Sequence, residues 1–537
     1  MPPPVISPPV LIKAFHIRGF TLRSEARDFL LRLFRTDSSL VLDTIVSKIC
    51  AYMTEVNQSL ITTALINSAL NQTANHINPE SFFNFLDQSK AHYLEFDVIS
   101  TSYNLIKSSN SKCIGSSDHL RSKYTNHYSL LSRSLELFGL KSSSEFRYNS
   151  KPIKLASVEK KGGQVVKTVG MLILTADATW QLEDPEKSVQ LVIPEQVRER
   201  EVHGFLSDGC WVIATGLYDI KDRVFVVSEL QLPPVVPRLK LLSDVSVVTR
   251  RSLFGFSSAT EEEIVNKSKG SSELSEMSLL VFIDVNLDVA GCVDKLIAAL
   301  QRLNEAIVAG SHRHPFAIVL MGNFLKNYDS PFATGNFDVL SALMVSFFNQ
   351  ISVFSELFSK TKIVLIPGPK DVYIPESLPR LALPLNLQSA VKSTPVIGQQ
   401  VIFLGSPGRL QLLDREIVFH RDDISTHLSR TTSVRPNQSL FVPSHLARTI
   451  LSQGHLCPCP TIKRPINWKF DHELRLFPLP SILVLGDLYC GSMNEEIEGT
   501  RVVNSDGSFS KDSAFLTINP FRDVGNSFGC VEFNKFD

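Results

Sequence analysis

The chain carries no excess of either charge. Its 54 Lys and Arg balance 54 Asp and Glu over 537 residues, so no net positive field marks a nucleic-acid surface. A stand-alone single-strand binder would need more positive charge, because phosphate contacts supply most sequence-independent affinity. No run of about 18 apolar residues occurs, so no membrane span or membrane partner is expected. Met1-Pro2-Pro3-Pro4 lacks the charged-then-apolar pattern of a secretory signal. The eight cysteines (Cys50, Cys113, Cys210, Cys292, Cys457, Cys459, Cys490 and Cys530) include no C-x-x-C pair of the kind that zinc and iron–sulfur sites favour. In Cys457-Pro458-Cys459 the intervening proline makes shared tetrahedral ligation awkward. Reduced thiols are the expectation. No G-x-x-x-x-G-K-S/T loop is present to hold a nucleotide, and no cofactor is expected.

What is present is apolar and patterned. Hydrophobic residues make up 43% of the chain, with 34 Phe, and the length suggests two or three domains. Ala26, Phe29, Leu30, Leu33 and Phe34 fall at helical spacing behind Ser24 as an N-cap. Val41, Leu42, Ile45, Val46 and Ile49 repeat the pattern, as do Leu60, Ile61, Ala64 and Leu65. These predict a helical bundle over residues 1–75, read as a protein-docking module. Residues 76–150, rich in Ser and Asn, predict a tether followed by a packing helix from Arg121 to Phe138, with Tyr124, Tyr128, Leu131 and Leu135 on one face and Gly139 as its stop.

Over 151–275 the pattern turns to β. Strands are expected at 168–174, 180–184, 188–193, 210–218 and 223–230, and five short strands with Gly at the bends suit an OB-type β-barrel. Such barrels bind single strands by stacking bases on aromatics. Trp180, Trp211, Tyr218 and Phe225 sit within apolar alternation, however, which predicts core rather than platform and favours protein binding. Lys160, Lys161 and Lys167 are a small basic cluster that more simply solvates a strand edge. Pro233 to Ser275 reads as a joint.

Residues 276–537 carry five apolar runs ending in loops. They are Leu279 to Asn286, Ile318 to Asn323, Ile363 to Asp371, Ile450 to His455 and Ile482 to Tyr489. Open α/β sheets place their sites at strand carboxyl ends. The order resembles that of a two-metal phosphoesterase, which expects D-x-H, G-D-x-x-D, G-N-H-D/E, an isolated His and G-H-x-H at these places. A dinuclear centre needs oxygen and imidazole ligands converging on two cations. Asp284 fits, but Asn286 replaces a His and Asn323 replaces the bridging carboxylate. Lys326 stands for an Asp, and Pro369 and Lys370 replace the third motif's ligands. His455 survives, whereas Asp487 and Tyr489 replace both final histidines. The pattern predicts a two-sheet α/β sandwich of the calcineurin-like phosphoesterase type that has lost its metals and its catalysis. Helices are expected from Asp284 to Leu303 and from Asp338 to Phe358, and a flexible loop from Glu495 to Asp512.

Together with Thr449 to Pro458 and Ile363 to Lys370, these motifs resemble the B subunits of eukaryotic replicative DNA polymerases, most closely the epsilon branch and less closely those of delta or alpha. The resemblance covers most of the chain, strongest after about residue 270. It implies a nuclear, non-catalytic accessory subunit. The implied partners are the C-terminal cysteine-rich region of the epsilon catalytic subunit, small histone-fold subunits of the same complex, and replicative helicase components reached through the N-terminal domain. DNA would be met only indirectly or weakly.

Overall fold

The computed structural model describes residues 8–36, 45–46, 49–50, 53, 60–63, 65–66, 83–86, 92–97, 102–107, 117–138, 152–249, 276–326, 334–371, 376–395, 397–412, 415–434, 436–460, 463–505, 508–522 and 530–535. The chain divides into two compact units, Met1–Phe83 and Asn84–Asp537. In the first, helices Pro8–His16 and Ser24–Thr36 bury Leu11, Phe15, Ala26 and Leu30 in one cluster with Ile45, Val46, Ile49 and Ile61. Ser24 opens its helix. Leu60 and Ile61 are not helical as their spacing suggested: they pair in parallel with Thr21 and Leu22, and such backbone pairing overrides weak propensity. Val41, Leu42 and Ala64 lie outside the described residues.

The second unit opens with more structure than a tether. Strands His92–Asp97 and Ser102–Lys107 pair antiparallel, and Phe96 and Tyr103 bury against Leu130 of helix Ser117–Phe138. Tyr103 donates to Asp244 Oδ2 at 2.5 Å, and Arg133 bonds the same carboxylate at 2.7 Å. Asp244 lies on helix Arg238–Thr249, inside the stretch read as a joint.

All five expected barrel strands form: Val165–Leu174, Trp180–Glu183, Ser188–Val192, Trp211–Asp219 and Val224–Gln231 close into a barrel. Alternation works as expected, since Leu172, Leu182, Val212, Ala214, Phe225 and Val227 fill the interior. At Gly216 a side chain would meet the Val226 carbonyl at 2.2 Å, so only glycine lets the two strands approach. Trp211, Tyr218 and Phe225 are buried and Trp180 is half-buried. Lys167 is buried too, and Lys160 and Lys161 are exposed.

Trp211 is the barrel's anchor to its surroundings. Tyr124 and Tyr128 of helix Ser117–Phe138 pack on its ring at 5.1 and 5.4 Å between centroids. The Gln453 side chain accepts from Trp211 N at 2.6 Å and donates to Trp211 O at 2.8 Å. One amide thus satisfies both backbone groups of a buried residue, as a neighbouring strand would.

The remainder holds two six-stranded sheets. In the first, Val401–Phe403, Lys362–Ile366, Ala317–Met321 and Leu279–Ile283 run parallel, followed by antiparallel Ala514–Asn519 and Cys530–Lys535. The second runs Met493–Ile497, Thr500–Asn504, Ile482–Leu485, Arg415–His420, Gly408–Leu412 and Phe83–Leu86. Helices Ala290–Val308 and Thr334–Ile351 pack on the first sheet through Leu296, Leu300, Leu340, Met344, Phe347 and Phe348. The first expected helix starts six residues late, because Asp284 to Val289 are spent in the loop after the strand. The run ending at His455 is a helix, Val442–Gln453, closed by Gly454 at φ 57°. Within Glu495 to Asp512 the described residues form strands and a short helix rather than a flexible loop. Their polar residues alternate on strands Met493–Ile497 and Thr500–Asn504, and Phe509 is fully buried. Among the described residues no helix is long and apolar enough to cross a membrane.

Trp211→Ala should cost about 3–5 kcal/mol, as large-to-small aromatic changes in cores do. Urea unfolding of the full chain checks this, and helix Ser117–Phe138 should lose hydrogen-exchange protection first.

Candidate functional site

Five strand ends meet at one place. The loops after Leu279–Ile283, Ala317–Met321, Arg415–His420 and Ile482–Leu485 are joined there through Arg421, whose side chain is fully buried, and the loop after Lys362–Ile366 is tied in through Asn323 and Asp371. Its Nε donates to Gly322 O at 2.9 Å. Its Nη1 donates to Gly486 O at 2.7 Å and Asp423 Oδ1 at 2.8 Å. Its Nη2 faces Asp284 Oδ1 at 3.8 Å. A planar guanidinium with donors in a fixed fork can bridge loops this way, where a point charge cannot.

Asp284 turns the chain out of its strand at φ 60°, a left-handed conformation that Asp tolerates better than most residues. Its Oδ1 accepts from Asn323 N and Nδ2, each at 3.2 Å. Asn323 Oδ1 accepts from Lys370 N at 2.8 Å, and Asn286 Nδ2 donates to Asn323 O at 2.7 Å. Asn323 therefore joins three loops as a neutral donor and acceptor. Asp371 is buried and accepts from Phe324 N at 2.6 Å and Gly368 N at 2.7 Å. Burial pushes its carboxyl up to about 7, against the pull of those N–H groups and of Arg421.

Asp487 is also committed. It accepts from Ser425 N and Oγ, both at 2.8 Å, and from Tyr489 N at 2.9 Å. Burial raises its carboxyl above the usual range despite the Ser425 bonds. Asn504 steadies the same loop, accepting from Asp487 N at 3.0 Å and donating to Asp487 O at 2.9 Å. Beneath Arg421, the fully buried Arg380 donates to Arg421 O and to Asp422 Oδ1, both at 2.8 Å. Arg464 bonds the same Asp422 oxygen. Burial, then the neighbouring Arg421, lowers the Arg380 guanidinium to about 10.

The structure thus gathers Asp284, Asn286, Asn323 and Asp487 and leaves the other expected positions apart. Lys326, Lys370 and Tyr489 point to solvent, and Lys370 contributes only its backbone N–H. The cation among the loops is Arg421, not the Lys370 ammonium that the sequence pattern placed there. Pro369, half-buried, offers no ligand. His455 belongs elsewhere, with Nε2 on Asp471 Oδ1 at 3.2 Å, Nδ1 accepting from Cys457 N at 3.0 Å, and its ring stacked on His127. Burial alone would raise Asp471, but Arg475 and His455 hold its carboxyl below the usual range. Among the described residues no three His, Cys, Asp or Glu side chains are grouped so as to hold a metal. The donor set also fits two divalent ions poorly, since Arg421 would add a third cation beside Asp284.

Sequence reading missed Arg421, Asp371 and the strand that delivers Arg421. The available signal was Ile417-Val418-Phe419-His420 followed directly by Arg421-Asp422-Asp423, an apolar run ending in charge like the others.

Two family models match the chain. That for the B subunit of DNA polymerases alpha and epsilon covers residues 280–493, and so contains the whole loop crossing from Asp284 to Asp487. That described as the DNA polymerase epsilon subunit 2-like OB-fold domain covers residues 116–234, the helix and barrel. Both matches are to subunits of this kind, and the chain is similar to DNA polymerase B subunits. Within that class the chain is similar to second, or B, subunits of DNA polymerase epsilon. It is 25% identical over 505 residues to DNA polymerase epsilon subunit 2 of Homo sapiens, spanning 89% of this chain and 90% of the relative. The DNA polymerase epsilon B subunit of Arabidopsis thaliana is 28% identical over 382 residues, 70% of this chain and 68% of the relative. DNA polymerase epsilon subunit 2 of Drosophila melanogaster is 30% identical over 351 residues, 64% and 61%.

Arg421→Met should destabilise the chain by about 3–5 kcal/mol, the cost of removing one partner from a buried charge pair. Arg421→Lys should recover only part of it, because the ammonium lacks the fork; urea unfolding of both variants is the check. The raised Asp371 carboxyl adds a pH dependence. The folded state holds its proton more tightly than the unfolded state, so its contribution is intact at low pH. That contribution is lost as pH rises through the ordinary carboxylate range up to about 7. Asp371→Asn should remove this part of the slope when unfolding is followed from about pH 4 to about pH 8.

Proposed function

We propose that this chain is the non-catalytic accessory subunit of DNA polymerase epsilon in chromosomal replication, and that its last 262 residues, 276–537, form a phosphoesterase-like domain without catalysis. The observation that carries the second part is Arg421. A buried guanidinium shares the loop crossing with Asp284, while Asn323 spends its amide on the Asp284 carboxylate and the Lys370 N–H and Asp487 spends its carboxylate on Ser425. A dinuclear centre works by placing positive charge where phosphate and hydroxide meet. Here the positive charge is covalently part of the chain and bonded on several sides, so it can hold the loops but cannot ionise a water. Asp284, Asn286, Asn323, Lys326, Pro369, Lys370, His455, Asp487 and Tyr489 are then former ligand positions, some kept as loop fasteners and others released to the surface.

On this reading the barrel, the packing helix and the two sheets make one rigid body that scaffolds the C-terminal cysteine-rich region of the catalytic subunit. The separate unit Met1–Phe83 then serves as a docking module toward the replicative helicase, with small histone-fold subunits elsewhere in a nuclear complex. The buried barrel aromatics favour protein over nucleic acid as the barrel's partner.

The test is metal content and turnover of an aryl phosphodiester by the purified chain with added Mn²⁺, beside co-purification with the catalytic subunit's C-terminal region. No stoichiometric metal, no turnover and stable co-purification are expected. Bound metal with activity lost in Asp284→Ala would contradict the assignment.

A further inference from the structure

A second feature lies away from the loop crossing. Where helix Ser117–Phe138 stops covering the barrel, a cavity of about 530 Å³ opens between the helix, the outer face of strands Val165–Leu174 and Trp180–Glu183, and the segment from Gln453 to Asp471. That volume lies in the range of small-ligand sites, roughly 300–1,000 Å³. Its walls include Tyr124, Trp211, Met171, Ile173 and Trp468. Two of the chain's three tryptophans therefore face it.

Four carboxylates border the cavity, and three are already spent. Asp184 accepts from Leu155, Glu186 and Lys187 N–H groups. Asp208 accepts from Leu174 N and pairs with Lys463. Asp471 pairs with His455 and Arg475. Glu183 differs. Leu182 points into the barrel, so Glu183 points out, opposite Met171 in the strand register. Tyr124 bonds its backbone carbonyl. Among the described residues no donor or cation reaches its half-buried carboxylate. Burial, then the adjacent Asp184, raises its acid range. Arg121 stands at the cavity's border, exposed and without an ion-pair partner among the described residues. A partly desolvated carboxylate without a counter-charge gains from any cation brought beside it, and aromatic faces attract cations within about 6 Å.

We propose that this cavity binds an organic cation carried on an apolar body, with Glu183 as its counter-charge and Tyr124 and Trp468 as aromatic walls. The cation is either a free amine or amidine or a basic side chain in a polypeptide segment. The site rests on this cavity alone and not on the polymerase reading.

The full chain is titrated with benzamidine, and with neutral, equally shaped benzamide, while tryptophan fluorescence is followed. Saturable binding is expected, with benzamidine about tenfold tighter than benzamide, the scale of a desolvated cation–π contact beside a carboxylate. Glu183→Gln should erase the preference without moving the unfolding midpoint. Met171→Lys, which places a cation in the cavity from the protein's own side, should abolish benzamidine binding. A capped Phe-Arg dipeptide assigns the source: tighter binding than benzamidine supports a polypeptide cation, weaker binding a free small molecule. No saturable response, equal response to the two probes, or a preference that survives Glu183→Gln overturns the proposal.

Discussion

Four loops that would otherwise splay are held at one point by the buried guanidinium of Arg421, and a fifth is tied to them through Asn323 and Asp371. The carbonyls just past two of the strands, Gly322 O and Gly486 O, take their hydrogen bonds from Arg421. An unpaired buried carbonyl costs about as much as a lost hydrogen bond, so something must fill the crossing. In a metalloenzyme two cations would do it. Here a side chain does, and Asp284, Asn323 and Asp423 are arranged around it. Pairing and bonding on several sides are what make a buried charge tolerable. The further arginine beneath, Arg380, carries the network from Arg421 O to Asp422. The loop crossing is therefore a buried hub of arginines, each bonded to loop carbonyls or aspartates.

The same economy recurs at the barrel. Trp211 is held through its ring by Tyr124 and Tyr128 and through its backbone by Gln453, so one residue joins helix, barrel and the second sheet's neighbourhood. Gln453 ends its helix immediately before Gly454, whose left-handed turn directs the chain toward His455. A rigid body built from such few fixed points suits a partner surface, because preorganised groups lose less entropy on binding.

Much of this was legible in the chain. The barrel strands follow from alternation, since Leu172 and Leu182 face inward while Met171 and Glu183 face outward. The runs before Asp284, Asn323, Lys370 and Asp487 are strands because short apolar stretches of β-branched residues bounded by Gly and Pro leave little alternative. Ile450-Leu451-Ser452 misled because a buried helix end and a buried strand share that composition, and only the longer stripe from Leu446 distinguishes them. The hairpin at Tyr103 was hidden by the Ser and Asn around it. Arg421 was hidden for a different reason. Its strand matches none of the expected ligand motifs, and an arginine after an apolar run reads as a solvated turn until the other four loops are placed around it. Spacing also put Lys370 among the ligands, but the direction of a loop side chain is set by its backbone hydrogen bond to Asn323 rather than by sequence position.

The most direct measurement is the Nε–H resonance of Arg421 in nitrogen-15-labelled full-length chain, assigned by its disappearance in Arg421→Lys and followed during addition of Mn²⁺. A guanidinium that permanently fills the loop crossing gives a slowly exchanging, well-dispersed signal that paramagnetic Mn²⁺ leaves sharp. Rapid exchange with water, or broadening at substoichiometric Mn²⁺, would show that the crossing is open to solvent and to metal, and would contradict the account.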